Sequence, residues 1–329
     1  MRKYNTIAIA LHRRCSISCR SCCFGCTPRS FAKIPKRLVK SIIKQSAEIP
    51  EIKIISITGG EPFFDINYLI EVFYWARLAG KHSKVITNAS WAENYNETVE
   101  TIRKCKMFGL IKLGVSVDRY HQEYVPIEKV NNVLMACQEL GLRANISVRV
   151  LKGDKIGELL LGLDESLHDL NIEVGSCHSV GSAKTNFSKD MFFMQILPED
   201  FTCGNIDTMF ISFDGKVYPC CNYWIEKTGM CVGNIRNISL KEIFSILGDD
   251  EILFFIRNLG FGLFIQYAKK IGVKLPKKGT SYCELCSCLF GKKNIEKFSD
   301  FAKMLYQLDV ADLKKMLYEY GVIEMSEQK

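Results

Sequence analysis

The chain has 329 residues, 47% of them apolar, with 44 Lys and Arg against 36 Asp and Glu for a formal charge of +8. That apolar share excludes a disordered chain. No run reaches the roughly 18 uninterrupted apolar residues of a membrane span, since the greasiest stretch, ILFFIRNLGFGLFI, is broken by Arg257 and Asn258. From residue 6 onward short β-rich runs alternate with amphipathic ones. TIAIAL (6–11), KIISIT (53–58), KVIT (84–87), IKLGVSV (111–117), ANISVRV (144–150) and IEVGS (172–176) read as strands. KRLVKSIIKQSAEI, NYLIEVFYWARLAG, ETVETIRKCKMFG, EKVNNVLMACQELG and GELLLGLDESLHDL between them read as helices. Six β-then-α alternations predict a parallel sheet with helical crossovers, open or curved into a partial barrel, with chemistry at the C-terminal strand ends.

After about residue 195 the pattern changes. MFISFDGKVYPC predicts a hairpin turning at Asp214-Gly215, followed by helical runs and a cysteine-rich stretch, YCELCSC. The expected division is residues 1–195 as an α/β domain and 196–329 as a smaller hairpin-plus-helices domain. The N-terminal apolar stretch is too short for a signal peptide, so the protein is expected in the cytoplasm. There, fifteen cysteines point to metal or redox chemistry rather than structural disulfides. The charge admits an anionic cofactor or acidic peptide as partner, but no basic stripe with interleaved aromatics suggests nucleic acid.

Directly after the first strand comes CSISCRSCCFGC, in which Cys15, Cys19 and Cys22 form CxxxCxxC. Chance would produce this triplet about 0.03 times in such a chain. Three thiolates on one loop suit a 4Fe-4S cluster with one iron left open; a zinc site completed by Cys23 or Cys26 is the alternative. TGGEP ends the second strand, where Gly59 and Gly60 let backbone approach a ligand and Glu61 can accept from an ammonium.

Together these motifs resemble the radical S-adenosylmethionine (SAM) enzymes, with CxxxCxxC after the first strand and GGE after the second. The resemblance covers residues 5 to about 185 and implies a partial (β/α)6 TIM-like barrel. It implies that SAM binds the open iron, with Gly59, Gly60 and Glu61 holding its amino group and Ser116 and Asp118 near its ribose. Gly181, in SVGSA, corresponds to the segment lining the adenine. The residue before the third cysteine is usually aromatic in the family; here it is Ser21, and Phe24 is expected to supply the ring. Asn88 and Arg149, at further strand ends, are either cofactor contacts or structural.

Cys203, eleven residues, Gly215, four residues and Cys220 match the opening of the auxiliary-cluster domains called SPASM or twitch. With Cys283 and Cys286 they imply four ligands for one auxiliary 4Fe-4S cluster. Cys231 and Cys288 are too few for a second. Adjacent strand residues point to opposite faces, so Cys221 is expected to point away from a cluster on Cys220, towards substrate; the bland reading is a buried small hydrophobe. That reading suits Cys105, Cys137 and Cys177.

CCFGC, VGSAKT, YPCC, GFGLFIQYAKK and CELCSCLF resemble one subfamily nearly end to end, the radical SAM peptide epimerases of the YydG type. The resemblance implies conversion of L-residues to D-residues in a ribosomally synthesised peptide, with SAM as consumed cosubstrate. It implies Cys221 as hydrogen donor and an external electron donor of flavodoxin or ferredoxin type. A thioether-forming peptide crosslinker is the alternative; an iron-sulfur electron carrier would leave GGEP unexplained. No N-terminal leader-binding domain is expected, because the barrel begins at once.

Overall fold

The computed structural model describes residues 4–322. Its strands are β1 (Thr6–Ala10), β2 (Ile54–Thr58), β3 (His82–Thr87), β4 (Leu110–Ser116), β5 (Arg143–Val150), β6 (Asn171–Ser176), β7 (Gln195–Ile196), β8 (Thr208–Ile211), β9 (Lys216–Tyr218), β10 (Gly233–Asn234) and β11 (Lys278–Gly279). Nine of them form one sheet in the order β10-β9-β8-β1-β2-β3-β4-β5-β6, while β7 and β11 pair separately. β1 to β6 run parallel, each beside its sequence neighbour. The expected strands are all present, in an α/β partial barrel that is open rather than closed.

Burial explains the central strand. β1, TIAIA, has every residue buried, as a strand covered on both faces must. The crossover helix Lys36–Ser46 turns Val39, Ile42, Ile43 and Ser46 inward, the i, i+3, i+4, i+7 stripe of an amphipathic helix. The helix Tyr95–Met107 starts at Asn94, whose side chain accepts from the amides of Asn96 and Glu97.

Two predicted helices come out differently. The run from Gly157 to Leu170 forms helix only over Ile156–Leu160. Gly157 and Gly162 each cost a helix about 1 kcal/mol relative to alanine, and Asp164 instead closes an Asx turn, accepting from the Ser166 amide at 2.9 Å. Leu161 is left 80% exposed. The last run divides into helices Ile295–Tyr306 and Val310–Glu319, because Asp309 caps the second by accepting from the Asp312 amide.

The hairpin turns at Asp214-Gly215, with Gly215 at φ +83°. Its first strand does not start a separate sheet. β8 pairs in parallel with β1, from Thr6↔Thr208 to Ile9↔Ile211, and β9 folds back on β8. One sheet therefore crosses the expected division at residue 195 and carries both the CxxxCxxC loop and the YPCC pair. The Tyr4 hydroxyl donates to the Pro219 carbonyl at 3.1 Å, tying β1 to that pair directly.

Candidate active site

The loop after β1 leaves and returns along itself. The amides of Arg13, Cys15 and Ile34 donate to the carbonyls of Ala32, Thr27 and Leu11. It is also zipped to the end of β2, since the Gly60 and Glu61 amides donate to the His12 and Arg14 carbonyls at 2.6 and 3.0 Å. A Cβ on Gly60 would lie 1.9 Å from the Arg14 carbonyl oxygen, and one on Gly59, at φ +133°, 2.6 Å from that of His12. Besides lining the cavity, as the sequence suggested, these glycines admit the backbone of the chain's own loop. Gly181, at φ +59°, does the same from another side, 2.2 Å from Cys23 O in such a test. It does not reach the cavity wall, where Val180 stands instead.

At the C-terminal ends of β1 to β6 lies a cavity of about 210 Å³. Cys15, Cys19 and Cys22 line it together with Phe24, Gly59, Gly60, Glu61, Asn88, Ser116, Asp118 and Arg149. Every sequence-predicted residue of this site except Gly181 is thus brought to one wall. Phe24 stacks on Phe210 at 5.9 Å and meets Phe213 and Tyr223 edge-on.

Glu61 is 1% exposed. Its Oε1 accepts from Thr87 Oγ1 (2.7 Å) and the Phe63 amide (3.1 Å), and its Oε2 from the Asn88 amide (2.7 Å). Burial, only partly offset by these donors, raises its pKa to about 7. Of roughly four acceptor positions on a carboxylate, one remains, on Oε2. Asn88 also donates its side-chain amide to Cys15 Sγ at 3.5 Å and Ser16 Oγ at 3.3 Å.

Cys15, Cys19 and Cys22 line one cavity, the three-thiolate donor set that suits an iron-sulfur cluster with one iron left open. The Cys22 pKa is lowered by the Cys26 thiol and by the nearby Cys26, Phe24 and Gly25 amides, against the effect of burial.

His121 was not flagged by the sequence, although it stands one turn after Asp118 on the same short helix. It lines the cavity with Nδ1 2.9 Å from Asp118 Oδ2. Burial is the largest single influence and lowers its pKa, but the charge and hydrogen bond of Asp118 together with those of the Cys19 thiol outweigh it, and the net shift is upward.

The second cysteine set gathers beside the first domain. Cys203 and Cys220 approach the helix Tyr282–Leu289, on which Cys283 and Cys286 are one turn apart. Phe201 stacks on Tyr282 at 4.1 Å and brings the Cys203 segment in. Burial raises all four thiol pKa values, and Cys220, Cys283 and Cys286 are raised further by their neighbours in this set. Cys231 is exposed and donates to the Gly233 carbonyl. Cys105, Cys137 and Cys177 are buried, as the bland reading had it.

Cys221 lines a different space. A cavity of about 330 Å³ is walled by Cys221, Asp207, Asn205 and others, and shares Arg149, Ser176, His178 and Tyr223 with the first cavity. Cys221 is exposed and lines this cavity; desolvation by the protein packed around it shifts the thiol pKa upward. It is an S–H group at neutral pH. Tyr223, two residues on, forms part of the partition between the cavities, its ring 6.3 Å from Phe24 and 6.2 Å from His178; no sequence motif marked it.

Residues 9–149 match the family model described as the radical SAM superfamily, and residues 203–246 the one described as an iron-sulfur cluster-binding domain, SPASM. The chain thus carries a radical SAM domain followed by a SPASM domain. Its cofactors are accordingly SAM and 4Fe-4S clusters. YydG of Bacillus subtilis (strain 168), whose name assigns it to peptide biosynthesis, is 27% identical over 92% of this chain and 98% of its own length. Among solved structures, anSMEcpe with bound AdoMet and Cp18Cys peptide aligns with TM-score 0.51 at 14% identity, over 97% of this chain and 99% of that one. SuiB of Streptococcus suis bound to precursor peptide SuiA aligns with TM-score 0.51 at 15% identity, over 78% and 67%. At such identities the structural likeness speaks to the radical SAM fold alone.

Proposed function

We propose that this radical SAM protein epimerises L-residues to D-residues in a ribosomally synthesised peptide. Similarity to YydG along nearly the whole of both chains supports peptide as the substrate class. The observation that carries epimerisation is Cys221, a protonated thiol next to Cys220 yet facing a cavity that adjoins the one lined by Cys15, Cys19 and Cys22. In this reading Cys15, Cys19 and Cys22 hold the SAM-binding cluster, and Cys203, Cys220, Cys283 and Cys286 one auxiliary cluster. Glu61 takes the SAM ammonium on its free acceptor position, with Ser116, Asp118 and Phe24 around the remainder.

When bound, cluster and SAM supply a 5′-deoxyadenosyl radical able to remove a peptide Cα hydrogen. The chain's own residues hold the peptide between the two cavities, keep stray hydrogen donors away, and return a hydrogen atom from Cys221 S–H to the opposite face. The S–H bond is weak relative to most C–H bonds, so a thiol placed on that face is an apt hydrogen-atom donor to the carbon radical. One electron and one solvent proton then restore the thiol, the electron coming from a flavodoxin or ferredoxin type donor. The protein is placed in the cytoplasm, where its free thiols persist; no described helix is long and apolar enough to cross a membrane.

Turnover in deuterated water tests this reading. Each D-residue is expected to carry one deuterium from Cys221, whereas thioether crosslinking lowers the product mass by two hydrogens without adding deuterium. Cys221→Ala is expected to lose D-residue formation while still releasing 5′-deoxyadenosine. D-residues from that variant would defeat the assignment.

A further inference from the structure

The loop carrying Cys15 has two sides. Cys15 faces the cavity. Arg14, the preceding residue of a segment that bridges to residues 27 and 33, faces a separate outer groove, as neighbours in extended chain do. This groove, about 650 Å³, is larger than either cavity described above, and none of its wall residues is shared with them.

Its surface is cationic and aromatic. Arg14, Lys33 and Lys36 are exposed, against two carboxylates: Asp65, which caps the helix Ile66–Leu78, and Glu71, 4.0 Å from Lys36 Nζ and outside the groove wall. His12 is kept neutral by burial, its pKa lowered. Arg14 lies over the Phe64 ring at 4.3 Å and Lys36 over Tyr68 at 4.4 Å, which holds both charges in place. Phe31, 85% exposed, stands at the rim.

We infer that this groove is the docking surface for an acidic one-electron carrier protein, a reduced flavodoxin in chemical class. The inference rests on the reading of the chain as a radical SAM enzyme supplied with electrons from outside. Charge complementarity selects an acidic partner, and the groove wall includes Arg14, one residue from the Cys15 thiol assigned to the cluster, on the side away from the substrate cavity. A peptide substrate has to reach Cys221, in a cavity that shares no wall with this groove. The carrier and the peptide therefore bind at once. On docking, the flavin hydroquinone is oxidised by one electron, which enters the protein on the Cys15 side.

An acidic flavodoxin is titrated onto the reconstituted wild-type protein and a Lys33→Glu/Lys36→Glu variant, with affinity measured by calorimetry at low and high salt. Release of 5′-deoxyadenosine is measured with flavodoxin hydroquinone and, separately, with dithionite. The variant is expected to bind at least about tenfold more weakly, with a smaller salt dependence. Its flavodoxin-driven rate falls in proportion, and its dithionite-driven rate is unchanged. Unchanged binding overturns the inference, as does equal weakening by Lys292→Glu/Lys293→Glu, a reversal at exposed lysines outside the groove. Binding of polyglutamate in place of flavodoxin overturns it as well and marks an acidic-peptide site. If wild-type protein with dithionite releases no 5′-deoxyadenosine, the enzymatic reading fails instead, and the binding measurements still decide the docking.

Discussion

Glu61 shows how a single side chain reconciles burial with charge. Its carboxyl is pushed up to about 7 by burial although three donors face it. In the ligand-free protein this raised value contributes stability below the ordinary 4.5, which is lost as pH rises through about 7. An ammonium on the free acceptor position acts the other way, favouring the ionised form. SAM affinity is therefore expected to rise as pH climbs through about 7 and then level off, with up to one proton released on binding. Calorimetry in buffers of different ionisation enthalpy measures that proton. Glu61→Gln is expected to bind SAM about 10- to 100-fold more weakly, the worth of a charged hydrogen bond, with a flat pH profile; unchanged affinity would remove Glu61 from the amino-group site. The motif GGEP made Glu61 visible in the sequence. Thr87 and Asn88, which aim it, come from β3 and were legible only as a strand end, because their partnership is made across the sheet.

Among the elements, the loop between β1 and the first crossover helix is shaped by contacts that spacing cannot reveal. CxxxCxxC announced the thiols, but not that Gly60 and Gly181 clamp the loop from two directions. Gly60→Ala drives a methyl group into the Arg14 carbonyl and is expected to destabilise the apoprotein by about 1–3 kcal/mol, as overpacking does, with iron content falling after reconstitution. Gly204→Ala is the control, since no atom lies within 4 Å of its added carbon; it is expected to stay within about 0.5 kcal/mol. Urea unfolding measures both, and equal stabilities would mean that the clamp is not required. Periodicity served well for strands and for helices with an unbroken apolar stripe. It failed at residues 161–170, where apolar residues recur at helical spacing but glycine and an Asx turn compete locally.

At the scale of the whole molecule, the two domains are joined by a pairing that links residues about two hundred positions apart. The hairpin around Asp214-Gly215 was legible because a turn is local; its partner was not, since any exposed parallel edge would have served. The partner is β1, and that choice fixes β9 and the bend after it, which carries Cys220 and Cys221 off the strand, to the sheet that also carries the Cys15 loop. A fragment of residues 1–195 loses β8 and leaves β1 as an open edge, with Ile7, Ile9 and Ala10, all 0% exposed in the full chain, partly uncovered. Such an edge pairs with other chains, so this fragment is expected to aggregate. A fragment of residues 1–237 keeps β8, β9 and β10 and is expected to be more soluble. Lacking Cys283 and Cys286, it should reconstitute with about four irons where the full chain takes about eight. Size-exclusion chromatography and iron analysis decide both points. A monomeric, soluble 1–195 fragment would show that the barrel stands without the hairpin, and the position of Cys221 would then depend on domain docking rather than on a continuous sheet.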